Sequence, residues 1–518
     1  MLPNYMALDL EKETMTQIKL PKLLSSLQAV FIFLITSMTL SAEVSRHCDS
    51  AAQRKLTEAQ VIVDVALAKE AYERIHPGYT RYTDNKEIET AWQNIVQIAK
   101  IKRGLTVGDL YLQVQKTLAL IHCDHTKANL PKALEKERDT QPIYLPFRWT
   151  WLENRAFITI SDGQGIIAKN DELLSLDGES IQILIEQVLP YIPYDGYTTW
   201  SRLSEVAESL EFKGGALDHF GALLWDIEPT AELIVKTQGG EIKAMQVQRI
   251  NYQQWVSLDG NNTRVQNFKD AVKLERIGEN IAYLRLDTFV NYRQPYDPND
   301  IYDPVFKIIQ QDNIDVLIID LRHKGSGSTD ASHGLLANLI TQPTRAKLDM
   351  RAKTLNMEGL REHLWTWDER ALDPYRITFS QNDDNTYSLR SWLTDDLDTI
   401  KPAKYAFDGK IIALTSHGNS SGSTNLLANI QALGRSTLIG EKTGGSAQGT
   451  TAGLLFTLTL PGSKITTRIP FFQYQNNIKT FKEGMGVNPD IEVTSSAEDY
   501  LKGKAPILLE TIKFASNK

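Results

Sequence analysis

The residues best suited to chemistry lie in Thr415–Thr451, TSHGNSSGSTNLLANIQALGRSTLIGEKTGGSAQGTT. Ser420, Ser421 and Ser423 sit in a polar, small-residue turn, His417–Ser423. The apolar run Gly409–Thr415 precedes it and reads as a buried strand. Leu426, Leu427, Ile430 and Leu433 follow at helical spacing, and Gly434 stops the helix. A serine at a helix N-terminus faces backbone N–H groups without intrahelical partners, at the positive end of the helix dipole. Such donors stabilise an oxyanion, so the turn suits a nucleophilic serine. Serine is also the preferred N-cap, and the turn alone reads as a cap before it reads as a nucleophile.

A serine hydroxyl attacks only when a base takes its proton, and that base needs an orienting partner. Of nine histidines, His417 lies in the serine turn and His323 in a second glycine turn. That turn, Leu321-Arg-His-Lys-Gly325-Ser326-Gly327-Ser, follows the apolar strand Val316–Asp320 and leads into a helix over Ser332–Ile340. Its glycines let backbone N–H groups approach a substrate oxygen.

The continuation of the serine turn is an ordered series: Gly434-Arg435, Gly440-Glu441-Lys-Thr443-Gly444-Gly445, then Glu483-Gly-Met-Gly486-Val-Asn-Pro489-Asp490. It resembles the C-terminal processing (tail-specific) and tricorn-core family of serine peptidases. The resemblance implies an α/β crotonase-like (ClpP/crotonase) peptidase core. In that family the nucleophile lies thirteen residues before the Gly of Gly-Arg, which is Ser421 here. The amide of Gly422 and the Gly325–Gly327 turn, with Ser326, then form the oxyanion hole. The helical leader, with His76-Pro77 and Asp124-His125-Thr126, resembles the N-terminal region of tricorn-like members. Carried over, it makes His125 the base and Asp124 its polar neighbour. His417 and His323 fall on family loop positions and rank below it. Glu483 takes the place of the relay glutamate. Tail-specific members use a lysine base where this chain has Ser446, and Lys442 falls on a structural position, so the histidine branch is expected.

The elements that position these residues extend over a chain of 518 residues, long enough for two or three domains. With 42% hydrophobic and 23% charged residues, the composition is that of an ordinary globular protein. The net charge of −8, without a long basic run, argues against nucleic acid as a partner. Lys19 and Lys22, the apolar Leu23–Leu40 and the small Thr39, Ser41 and Ala42 form a secretory signal pattern over 1–42. The apolar centre is short for a span of about 20 residues, so export without a stable membrane span is expected. Cys48 and Cys123 could then form a disulfide.

Residues 43–142 read as a helical domain in which Val61, Val65, Ala68, Tyr72 and Ile75 share a face. Residues 143–250 look β-rich, and Ala168–Ile181 resembles the strand–turn–helix of a PDZ-like module that captures a peptide by its backbone and carboxylate. The catalytic core spans 268–510, with a lid-like insertion at 343–406 that matches no core element. His122-Cys-Asp-His125 lacks further convergent ligands and no HExxH or paired-Cys pattern occurs, so no metal or organic cofactor is expected. The expected activity is an exported serine endopeptidase acting on protein or peptide substrates, with oligomeric state open. Two other readings use the same core: a catalytically inactive ligand- or peptide-binding protein, and a crotonase-type acyl-CoA enzyme, which no CoA motif supports.

Overall fold

The apolar run Val316–Asp320 is buried at every position and forms the middle of a six-stranded sheet. The computed structural model describes residues 52–516 apart from 162–164, 166, 260–266 and 323–326. The expected signal segment, Cys48, His323, Gly325 and Ser326 lie outside the described residues.

The sheet order is Val272–Arg276, Ile281–Leu286, Val316–Asp320, Lys410–Thr415, Ser436–Gly440 and Ile491–Glu492. Every neighbouring pair is parallel except the first. Successive side chains alternate between faces. Leu317, Ile319, Ile411 and Ala413 pack with helices Pro298–Gln311, Thr329–Leu339 and Ser421–Ala432. Ile318, Ile412 and Leu414 pack with Ile507 and Ala515 of helix Pro506–Ser516. Helices therefore cover both faces, as a buried parallel sheet requires.

A second, antiparallel sheet of seven strands centres on the hairpin Thr451–Thr459 and Thr466–Asn476. Residues 343–406 are woven into it rather than forming a separate lid. Lys347–Ala352 pairs with Thr466–Asn476, Leu364–Trp365 pairs with Thr451–Thr459, and Phe379–Gln381 and Tyr387–Leu389 extend the edge. Lys127–Asn129 also joins this sheet, with Lys127 opposite Arg468, which fixes the chain just after His125.

The leader forms helices Glu58–Ile75, Asn85–Lys102 and Val107–Ala119. The predicted face of the first is buried, and Thr57 and Gln60 close a capping box at its start. A further sheet runs Arg148–Leu152, Arg155–Ile160, Glu172–Leu176, Thr230–Lys236, Ile242–Gln248, with helix Ile181–Val188 following its third strand. Among the described residues no helix is long and apolar enough to cross a membrane.

Candidate active site

Ser421 is the first residue of helix Ser421–Ala432, and its φ is +49°. A non-glycine residue in the left-handed region costs on the order of 1 kcal/mol, so surrounding contacts must hold it there. Asn419, fully buried, does much of this. Its side-chain amide donates to Leu321 O at 2.6 Å and its Oδ1 accepts from Ser416 N at 2.7 Å. Its carbonyl accepts from Gly444 N at 2.8 Å and Gly445 N at 2.9 Å. Ser420 is the N-cap but makes no side-chain cap bond, so its role is geometric. Ser423 is buried, with its hydroxyl on Ser420 O at 3.0 Å, and is spent on the turn. Ser420 and Ser421 are both partly exposed, and neither side chain makes a hydrogen bond among the described residues.

Leu321, Arg322 and Gly327, from the second glycine segment, lie against this turn. Arg322 grips Asp320 through two bonds, Nε to Oδ1 at 2.9 Å and Nη2 to Oδ2 at 2.6 Å, and Tyr283 OH adds a third at 2.6 Å. Ser416 Oγ donates to Arg322 O at 3.1 Å, tying the two turns together. A Cβ built on Gly422 would stand 3.6 Å from Gly327 O and 3.7 Å from Gly327 N, ordinary van der Waals distances. A Cβ on Gly327, where φ is +150°, would stand 2.2 Å from Phe289 C, which no real contact allows. Gly327→Ala is therefore expected to lower stability by about 2 kcal/mol or more and activity by roughly 100-fold, because the backbone beside Gly422 must shift. Gly422→Ala keeps its N–H and gains helix propensity, so its melting temperature should equal or exceed that of wild type. Thermal melts and kcat/KM of both variants check this pair.

His125 lies at the end of the leader, beside Asp124, with Nδ1 2.5 Å from Asp124 Oδ1. The two side chains face each other as an ion pair. Burial pushes the imidazole down, but the Asp124 carboxylate, with help from the Cys123 thiol, outweighs burial and holds it up at about 10. Burial pushes Asp124 up, yet His125 and then Lys127 keep it below the usual carboxylate range. Asp195, absent from the sequence-based candidates, sits in the same cluster and is buried. Its Oδ2 accepts from Ser446 N at 2.8 Å. Burial, then repulsion by Asp124, raise its carboxyl to about 6. The Gly444–Ser446 turn packs Gly445 on Ser420 and holds Asp195 through the Ser446 N–H. No hydrogen bond joins Ser421 to His125 among the described residues. Catalytic contacts are often long before substrate binds.

The other candidates stand further out. Glu483 is not brought to His125: its carboxylate faces Arg81 Nε at 3.6 Å, and its side chain is 67% exposed. The segment after it pairs with the turn, through Ala447 N to Met485 O at 2.9 Å and Val487 N to Thr443 Oγ1 at 2.8 Å. Lys442 reaches toward Glu492 at 3.9 Å on the surface, and His417 toward Glu441 at 3.7 Å. Cys123 is buried with its thiol on Thr451 O at 3.4 Å, and its expected partner Cys48 lies outside the described residues. Cys123, Asp124 and His125 present ligand atoms within 4.8 Å of one another. Two ligands of one tetrahedral ion stand about 3.3 Å apart, so the Asp124–His125 contact would have to open to admit one.

Comparison with known proteins adds an independent reading. Residues 280–493 match the family model of Peptidase family S41, and residues 141–256 match that of the PDZ domain. A search of curated proteins found no match. Among solved structures, mature CPAF complexed with lactacystin is similar at a TM-score of 0.59 and 15% identity, covering 85% of this chain and 95% of that one. Mature CPAF alone is similar at 0.57 and 14%, covering 85% and 94%. At these identities the likeness is one of fold.

Proposed function

We propose, from the premise that this chain carries a peptidase family S41 domain and is a serine-type peptidase, that Ser421 and His125 perform the hydrolysis. The observation that carries this reading is the left-handed Ser421 at a helix N-terminus with the Gly327 backbone packed on Gly422. Ser421 Oγ attacks the scissile carbonyl while its proton passes to His125. The oxyanion is received by the Gly422 N–H and the Gly325–Gly327 turn, including Ser326. His125, now an imidazolium stabilised by Asp124, returns the proton to the leaving amine. Water, deprotonated by the same imidazole, then releases the acyl group. Glu483, whose carboxylate faces Arg81, is not the direct partner of His125. The substrates are proteins or peptides, and the PDZ segment recruits them by backbone and carboxylate. The basic, apolar and small-residue pattern of residues 1–42 supports export.

A fluorophosphonate tests the nucleophile directly. Wild-type protein should be labelled, with the adduct on the peptide holding Ser421, and Ser421→Ala should not. A folded wild type that takes no label would overturn the reading in favour of a non-catalytic binding protein.

A further inference from the structure

We propose that Asp195 is a positioning residue of this site: a carboxylate delivered by the PDZ segment that holds the Asp124–His125 pair in register with the turn beside Ser421. The inference rests on the reading of His125 as the base, and goes beyond it in naming what keeps the base in place.

The geometry begins with the loop that carries Asp195. Residues 194–200 lie inside the stretch matching the PDZ model, yet their bonds go to the catalytic segments. Gly196 N donates to His122 O at 2.9 Å, and Tyr194 OH meets His122 Nε2 at 2.6 Å. Thr198 Oγ1 donates to Gly444 O at 2.5 Å, and Trp200 Nε1 to Thr443 O at 3.1 Å. Tyr197 N donates to Gly484 O at 2.7 Å. One loop therefore grips the segment carrying His125, the turn packed on Ser420, and the turn that holds Glu483 and Gly484. A Cβ on Gly196, where φ is +59°, would stand 2.2 Å from Gly484 O, so the loop is seated as closely as a backbone can be.

Asp195 is the acidic group at the centre of that grip. The Ser446 N–H fixes one carboxylate oxygen, while the next residue, Gly196, is bonded to the segment that carries the pair. The Asp195 carboxylate is coupled by charge to Asp124 and His125, and an ionised carboxylate there favours the imidazolium formed when Ser421 gives up its proton. The other ionisable groups around the cluster are Cys123 and Lys127 on the same segment, His76 from the end of the first helix, Tyr82 from the following turn, and Glu211. Lys127 is already paired with Glu211 at 3.2 Å, and His76 is engaged on both ring nitrogens by Thr126 and Gly78. Asp195 and Asp124 are thus the anionic groups left to serve His125.

Asp195→Asn tests this, because the amide oxygen still accepts from Ser446 N while the charge is gone. NMR titration of imidazoles in Ser421→Ala protein follows His125 without any need for turnover, its resonance assigned by loss in His125→Ala. Adding Asp195→Asn should lower the His125 pKa by roughly one unit. In the enzyme with Ser421 intact, the same change should lower kcat about 10-fold, with KM for a short peptide ester unchanged. An unmoved His125 titration, or equal kcat in Asp195→Asn and wild type, overturns the proposal. Activity surviving in His125→Ala would instead overturn the assignment of the base, whatever the titration shows.

Discussion

Ser421→Ala should lower kcat/KM on a fluorogenic peptide by at least 10³-fold, and His125→Ala by a similar factor. The double variant should be little worse than either, because a nucleophile and its base act as a unit and removing one leaves the other without a task. What remains comes from binding and the oxyanion turn, which neither change touches. Glu483→Gln and Lys442→Ala should each cost less than about 10-fold, since the first carboxylate faces Arg81 and the second side chain faces the surface. Steady-state kinetics on the set decide the assignment. A dead Lys442→Ala beside an active His125→Ala reverses it.

The pH dependence should be unusual for a histidine base. Only neutral imidazole accepts a proton, and Asp124 holds His125 up at about 10, against about 6.5 for a free imidazole. The limb of kcat/KM should therefore rise on the alkaline side of neutrality and continue toward that value. Asp124→Asn should move this limb down by roughly two units while lowering kcat, because the neutral amide no longer stabilises the imidazolium. A rate–pH profile of the two proteins checks both statements, and a limb shared by them excludes Asp124 as the partner. Stability follows the same groups with opposite signs. His125, raised on folding, contributes fully below about 6.5, and that contribution is lost as pH rises through about 10. Asp124, lowered on folding, contributes above its unfolded value near 3.9, and that contribution is lost as pH falls. The pair therefore supports the fold between roughly pH 4 and pH 10.

The elements built from local signals were legible in the chain itself. Val316–Ile319 is a continuous apolar run and Ile281–Leu286 is apolar except at Arg285, as buried parallel strands read. The serine turn and its helix carried both a breaker and a period. The strands in 343–406 carried neither. Phe379–Gln381 and Tyr387–Leu389 have three residues each, and Lys347–Ala352 finds its partner at Thr466–Asn476, more than a hundred residues on. Pairing over such distances is decided by packing and leaves no periodicity to read. Asp195 was passed over for the same reason. Its meaning lies in a bond to Ser446, 251 residues away, and an Asp-Gly loop looks alike wherever it lands. Glu483 shows the converse: a motif located the segment, which does lie along the turn, but the direction of the side chain was settled by Arg81.

The backbone at Ser421 has one more implication, for how this protein can change over time. Glycine is the residue that occupies a φ of +49° without steric penalty. A mutation from serine to glycine there would remove the reaction and relieve the fold together, by on the order of 1 kcal/mol. Folding stability alone thus pulls this position toward a dead enzyme, and only a demand for turnover opposes it. A lineage released from that demand would be expected to lose its nucleophile early, before its core or its glycine turns. A serine still held in the unfavourable conformation is what a working hydrolase leaves behind.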